Sequence, residues 1–170
     1  SPPDENTSCY YQDLGEIDIR WEYHTEFSTY TFIRLNKNEQ AFTCPPWQIL
    51  PISWREQLPG ELISATHIDI QTSQPANSEL QKIFAGQPVA ASFVAEKSAR
   101  VFASFKTNEC GFDKIIVLDD NLTQTQTGRL LRCLLELSSY RVMALLSLPV
   151  SKTLLPLVSD MEKQLAKVTM

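Results

Sequence analysis

The sequence lacks the short motifs that mark common active sites. Its 170 residues include only two histidines and five glycines, and the glycines stand singly. No Walker loop, no G-x-G-x-x-G and no G-x-S-x-G is present, which excludes the usual phosphate-cradling loops and the serine nucleophile elbow. The four cysteines are widely scattered and form no C-x-x-C, so a structural zinc site is not expected.

Basic residues are fewer than acidic residues. Lysine and arginine number 15 against 20 aspartates and glutamates, which leaves a net charge of −5, and no run of basic residues occurs. A nucleic acid or an anionic membrane surface is therefore not expected as the main partner. The sequence shows no signal peptide, so we expect this piece of chain to be soluble and cytoplasmic.

The densest apolar stretch runs from residue 121 to 149. Its leucines recur at helical spacing, and Thr123 with Gln126 forms a capping box that predicts where the helix begins. Pro149 is where a straight helix should stop or bend. The stretch is interrupted by charged residues, namely Arg129, Arg132, Glu136 and Arg141. Because a membrane span needs about 20 almost uncharged residues, this pattern predicts a buried core helix instead.

Polar residues within this helix are expected to serve its packing. Glu136, Tyr140 and Arg141 form a polar cluster, and Arg132 can pair with Glu136 one turn away. The structural interpretation is a buried ion pair and hydrogen bond that fix the helix to a sheet, and the alternative is a signalling role. Cys133 is predicted to be a buried, reduced thiol.

The rest of the chain reads mainly as strands. Residues 16–35 alternate between apolar and polar types, which predicts one bent strand or two strands meeting near residues 25–28, followed by a turn at 36–40. Residues 44–60 contain four prolines and two tryptophans and are expected to be an irregular connection. A short helix is predicted at 73–86. Further strands are predicted at 62–71, 88–95, 99–106 and 112–118, the last three as an antiparallel meander with the third strand central.

These elements predict an α+β fold. We expect a mostly antiparallel sheet of five or six strands, covered on one face by the long helix, with a second helix at the C-terminus. Residues 1–15 are expected to be a flexible lead-in, 16–149 the α+β domain and 150–170 the C-terminal helix. The apolar residues of that last helix step by four, three, four and three: Leu154, Val158, Met161, Leu165 and Val168. This spacing suits either a core face or the start of a coiled stalk.

One group of residues could carry chemistry. Glu22, His24 and Glu26 recur at two-residue intervals, so on a regular strand they would share a face, with Arg20 in line. Two carboxylates and an imidazole could converge on a divalent cation or act as an acid/base pair, and His67 on a partner strand could join them. The predicted metal site comprises Glu22, His24, Glu26 and His67. The other interpretation is a salt-bridged surface ladder, with Arg20 against Glu22 and His24 half-buried.

Several stretches together carry a family resemblance. They are RWEYHTEFSTYTFI at 20–33, LPGELISATHI at 58–68, AASFVAEKSARVFASFKTNECGF at 90–112 and GRLLRCLLELSSYRVMALLSLPVSK at 128–152. With these motifs nearly the whole chain beyond Gly15 resembles an uncharacterised, membrane-anchored family of proteobacterial proteins, known only as a domain of unknown function.

The resemblance implies an architecture but no reaction and no cofactor. It implies a hydrophobic membrane anchor in a segment absent from this chain. The present chain would then be a soluble head on the cytoplasmic side of the bacterial inner membrane. The expected function is a sensing, regulatory or assembly role, with self-association through the C-terminal helices and no nucleic-acid partner. The alternative is a metal-dependent hydrolase or lyase that uses Glu22, His24 and Glu26.

Overall fold

The computed structural model describes residues 7–35, 42, 45–73, 75–105 and 111–168. The chain divides into two compact units, residues 1–61 and 62–170. The sequence suggests a single α+β domain over 16–149 instead, and the number of independently folding domains stays a prediction. The turn predicted at 36–40 lies outside the described residues.

The first unit is built on a three-stranded antiparallel sheet. In spatial order its strands are β1 (Cys9–Asp13), β2 (Asp18–Tyr23) and β3 (Ser28–Ile33). Of the two interpretations of residues 16–35, the structure has two strands, but they pair as an antiparallel hairpin instead of continuing through a bend. The backbone N–H of His24 donates to the carbonyl of Phe27 (2.8 Å) and closes the hairpin. β1 was not predicted, because its tyrosines follow a polar, proline-containing lead-in.

A small apolar core lies against one end of this sheet. Ile17, Ile19 and Leu50 are buried, and Phe32 and Ile49 pack against them. Leu50 follows a 3₁₀ turn at Pro46–Ile49, and α1 (Ile52–Arg55) comes directly after it. The proline-rich segment is therefore the irregular connection predicted from its composition, and it covers the end of the sheet where β2 begins.

The second unit contains a mixed four-stranded sheet in the order β4-β7-β6-β5. Its strands are β4 (Thr66–Gln71), β5 (Ala90–Val94), β6 (Ala99–Ser104) and β7 (Asp113–Asp119). The predicted meander of β5, β6 and β7 is confirmed, and β7 is central, with residues 115–118 almost completely buried. The predicted single sheet of five or six mostly antiparallel strands is wrong, because there are two sheets and β4 runs parallel to β7. The chain leaves β4 through α2 (Asn77–Ile83), and a crossover of this kind permits parallel pairing.

α3 extends from Gln124 to Val168 and is 45 residues long. The predicted capping box is confirmed, since the Gln126 N–H donates to Thr123 Oγ1 (3.3 Å) and the Thr123 N–H donates to Gln126 Oε1 (2.9 Å). The prediction of two helices divided at Pro149 is wrong, because α3 continues through both Pro149 and Pro156. A proline removes one helical hydrogen bond and can kink a helix, but the flanking residues can carry the helix across it.

The first half of α3 buries one face only. Leu134 belongs to the core of the second unit, with Leu130 packed beside it, and Ser138 one turn later is also buried. Leu137 and Tyr140 lie on the outer side and are more than half exposed. The prediction of a helix enclosed by the protein is therefore wrong over this segment. Cys133 is exposed rather than buried for the same reason.

Candidate functional site

An ion pair anchors α3 to the sheet of the second unit. The guanidinium of Arg141 donates to the carboxylate of Asp113, the first residue of β7. The Asp113 side chain is 5% exposed and the Arg141 side chain 26%. Arg141 also donates to the carbonyl of Phe105 (3.5 Å), and its guanidinium carbon lies 5.1 Å from the centre of the Phe105 ring. The ion pair therefore holds α3 against the start of the central strand, β7.

The predicted ion pair between α3 and the sheet is confirmed, but it joins other residues than expected. An ion pair does fix α3 to the sheet, but the acid is Asp113 and not Glu136. Glu136 instead accepts from Arg132 (2.7 Å) in a pair whose side chains are 51% and 68% exposed. Asp113 stands two residues before the apolar run of β7, and no local sequence signal pairs it with Arg141.

A cleft of about 500 Å³ lies beside the anchor. Among the described residues its walls include Ile63, Phe105, Val142 and Leu145, together with the Arg141 and Asp113 pair. The charges of that pair neutralise each other, and the remaining walls are mostly apolar. Ser64 also lines the cleft, so its walls combine apolar side chains with polar groups.

The first unit contains three of the four predicted metal ligands, and in the structure their side chains do not share one face of a strand. Glu22 accepts from Arg20 (2.7 Å), which is the salt-bridged ladder considered from the sequence. His24 lies in the turn after β2, where its ring stacks on Phe27 with centroids 4.6 Å apart and its Nε2 lies 3.4 Å from Thr29 Oγ1. Glu26 lies in the same turn, so it does not continue the strand.

The fourth predicted ligand, His67, lies on β4 in the second unit. Among the residues that the structure describes, no three histidine, cysteine, aspartate or glutamate side chains are grouped so that they could hold a metal ion. The metal site stays a prediction from the sequence, and these residues lend no support to a metal-dependent hydrolase or lyase.

The outer surface of α3 is the most unusual feature of the second unit. Beyond Arg141, ten large apolar side chains are each between 44% and 67% exposed: Leu145, Leu146, Leu148, Val150, Leu154, Leu155, Leu157, Val158, Met161 and Leu165. Leu154, Val158, Met161 and Leu165 are here called the apolar stripe. At about 100° per residue they lie within about 60° of one another around the helix axis.

By length and composition α3 could also cross a membrane, and no residue in the apolar window that meets this test is fully buried. Residues 142–159 contain one charged residue, Lys152. The helix predicted over residues 121–149 is thus only part of α3, and the apolar run continues across Pro149. Exposed apolar surface on this scale indicates an interaction site.

Comparison with known proteins identifies one family. The family described as protein of unknown function (DUF3422) matches residues 1–170. Neither the curated proteins nor the solved structures contain a match to the chain. The membrane anchor that the sequence resemblance implies stays a prediction.

Proposed function

We propose that the chain is an interaction module that associates with further copies of itself through the apolar stripe of α3. The chain belongs to the DUF3422 family, whose function is unknown, so its membership assigns no activity. The observation that carries the proposal is the exposure of the stripe, because exposed apolar side chains gain free energy when a partner removes them from water.

The pattern of the stripe supports a helical partner. Its four residues follow the alternating spacing of four and three that places side chains along the seam of a coiled coil. Asp160, Lys163 and Lys167 lie on the opposite side of α3, and the Lys163 ammonium is 3.4 Å from the Asp160 carboxylate. A helix that is apolar on one side and charged on the other buries the apolar side against protein and leaves the charges in water.

The same pattern favours protein over lipid as the partner. Lys152 lies near the middle of the run 142–159, and a lysine at the centre of a span costs about 2.5–3.5 kcal/mol on insertion scales. Leu155 and Leu157 flank the stripe and are also exposed. Because they widen the apolar face beyond a two-helix seam, more than one neighbouring helix is expected around α3.

The proposal extends to the setting of the module. It would be the soluble head of a membrane-anchored protein on the cytoplasmic side of the bacterial inner membrane, with a sensing, regulatory or assembly role that depends on association. Support for this setting comes from the sequence resemblance alone.

Light scattering after size-exclusion chromatography tests the proposal. The double variant Val158→Glu, Leu165→Glu places two charges on the stripe and is expected to reduce the chain to a monomer. The matched control is Ser159→Glu, Ala166→Glu, which adds the same charge at the same separation about 100° around the helix. The control is expected to associate like the unaltered chain.

Three outcomes would contradict the proposal. The unaltered chain could be a monomer at every concentration, or both double variants could reduce association equally. The chain could also float with phosphatidylcholine vesicles while it stays monomeric without them, in which case the occupant of the helix surface is lipid. Circular dichroism of both variants verifies that α3 is still formed.

A further inference from the structure

Two prolines lie inside α3, in the part of the helix that follows its ion pair with the sheet. Pro149 and Pro156 have no backbone N–H, so neither donates the helical hydrogen bond that the carbonyls of Leu145 and Lys152 would otherwise accept. Each proline ring also crowds the carbonyl four residues before it, which pushes the helix open on the side of the proline. The hydrogen-bond ladder of α3 is therefore weakened at two successive points.

Three hydroxyl groups near these prolines donate to carbonyls of the helix itself. Ser147 Oγ donates to the carbonyl of Ala144 (2.9 Å). Ser151 Oγ donates to the carbonyl of Ser147 (3.1 Å). Thr153 Oγ1 donates to the carbonyl of Pro149 (3.1 Å). Side-chain bonds of this kind compete with the backbone bonds of a helix and often bend it.

Residues 147–156 are here called the hinge segment. They comprise two serines, two prolines, a valine and a threonine, all of low helix propensity, together with three leucines and a lysine. Every residue from 144 to 158 is exposed. Because most of the stability of a helix in a protein comes from packing against other elements, the exposed hinge segment has little to offset its weak propensity.

We propose that α3 bends at the hinge segment, so that its C-terminal part moves away from the side that carries the prolines. Pro149 and Pro156 are seven residues apart and lie within about 20° of each other around the helix axis, so both bend α3 in the same direction. The buried residue Ser138 lies on the proline side to within about 20°. The bend therefore carries the C-terminal part away from the side of α3 that packs against the sheet.

The apolar stripe lies on the inner side of this bend. Its four residues are about 140–180° around the helix from Pro156. On the other side of the hinge segment, the ion pair of Arg141 with Asp113 fixes α3 to the sheet six residues before Ser147. Bending thus changes the direction in which the stripe leaves the second unit. This inference concerns the path of a single chain and does not depend on the association proposed for α3.

The distance between two spin labels on the full chain tests the inference. The labels are attached at the exposed Cys133 and at Glu162→Cys, and the other three cysteines are replaced by serine. Both positions lie about 120–160° around the helix from each proline, so the proposed bend brings them closer together. In a straight helix the 29 residues that separate them span about 44 Å. Pulsed electron paramagnetic resonance measures the distance, and dilution of the labelled chain into unlabelled chain removes distances between copies.

Two double variants show whether the prolines cause the bend. The chain with both prolines is expected to give a broad distribution that extends to distances shorter than the straight-helix value. Pro149→Ala, Pro156→Ala restores both backbone donors and is expected to narrow the distribution to about 44 Å. The same variant is expected to slow hydrogen exchange of the amides in the hinge segment about tenfold or more. The matched control Leu148→Ala, Leu155→Ala changes the exposed leucines beside the prolines and is expected to leave the distribution broad.

Four results would overturn the inference. The chain with both prolines could give a narrow distribution like that of the proline-free variant, which would mean that α3 is rigid. The leucine control could narrow the distribution as much as the loss of the prolines. The labels could lie farther apart with the prolines than without them, which would mean that α3 bends towards the proline side. The broad distribution could also disappear in the variant Val158→Glu, Leu165→Glu, in which case contact between copies, and not the hinge segment, bends α3.

Discussion

Arg141 of α3 and Asp113 of β7 are 28 residues apart in the sequence, and their side chains meet in an ion pair at the start of the central strand. The pair lies where α3 stops packing through its apolar side chains Leu130 and Leu134. From Leu145 onward the large apolar side chains of α3 are largely exposed. The ion pair therefore marks the boundary between the part of α3 that holds the fold together and the part that is free to bind a partner.

Asp113→Asn is expected to destabilise the second unit by about 2–4 kcal/mol. The substitution leaves the charge of Arg141 without its carboxylate, and breaking a buried pair from one side costs about 3–5 kcal/mol, less here because Arg141 is partly solvated. Urea denaturation measures the change. The control Glu136→Gln breaks the exposed pair with Arg132 and is expected to cost no more than about 0.5 kcal/mol. Equal losses in both variants would mean that Asp113 does not anchor α3.

The phenol of Tyr11 is expected to lose its proton at a higher pH than an ordinary exposed tyrosine. A hydrogen bond to the carboxylate of Asp18, followed by the negative charges of Asp18 and Asp13, raises the pKa of Tyr11 above 10.0. The folded chain then holds this proton more tightly than the unfolded chain does. The contribution to stability is present below pH 10 and is lost as the pH rises through the folded-state pKa.

Ultraviolet titration of the tyrosines checks this shift. The difference between the unaltered chain and Tyr11→Phe isolates the Tyr11 transition, and Asp18→Asn is expected to move that transition to lower pH. No movement in Asp18→Asn would rule out the hydrogen bond as the cause of the raised pKa.

Lys97→Gly is expected to stabilise the chain by about 0.5–1 kcal/mol. Ala95, Glu96 and Lys97 follow one another with φ between 50° and 70° in the turn between β5 and β6. An L-residue pays about 1–2 kcal/mol in this left-handed region, and glycine avoids that strain at some cost in unfolded-state entropy. The melting temperature measures the effect.

Ser98 supplies the control for this turn. Its φ is −76°, so Ser98→Gly relieves no strain and is expected to lower the melting temperature. If both glycine substitutions lower it, the backbone of the turn is not strained as described.

The sequence predicted the individual helices and strands of this fold better than it predicted which of them pair with each other. Thr123 and Gln126 marked the start of α3, and the alternation around Trp21 marked two strands, because capping and strand periodicity depend on neighbours along the chain. The parallel pairing of β4 with β7 depends on how the chain between them crosses the sheet, and local sequence patterns do not predict this. Asp113 could not be assigned to Arg141 for the same reason, since an isolated carboxylate does not indicate which distant cation it meets.

The prediction of a buried α3 failed for a different physical reason. The density of leucine and valine shows that the helix needs an apolar environment, but it does not show whether this chain or a partner provides it. The first half of α3 meets its own sheet at Leu134, and the residues after Arg141 extend past it. For Glu22, His24 and Glu26, regular alternation ended at the turn that follows Tyr23, so the shared face expected for all three did not form.

Sedimentation equilibrium of the unaltered chain, from about 1 μM to 1 mM without detergent, tests self-association most directly. The chain has a mass of 19.3 kDa. Association through the apolar stripe predicts an average mass that rises with concentration towards a whole-number multiple of this value. A mass of 19.3 kDa at every concentration would contradict the account.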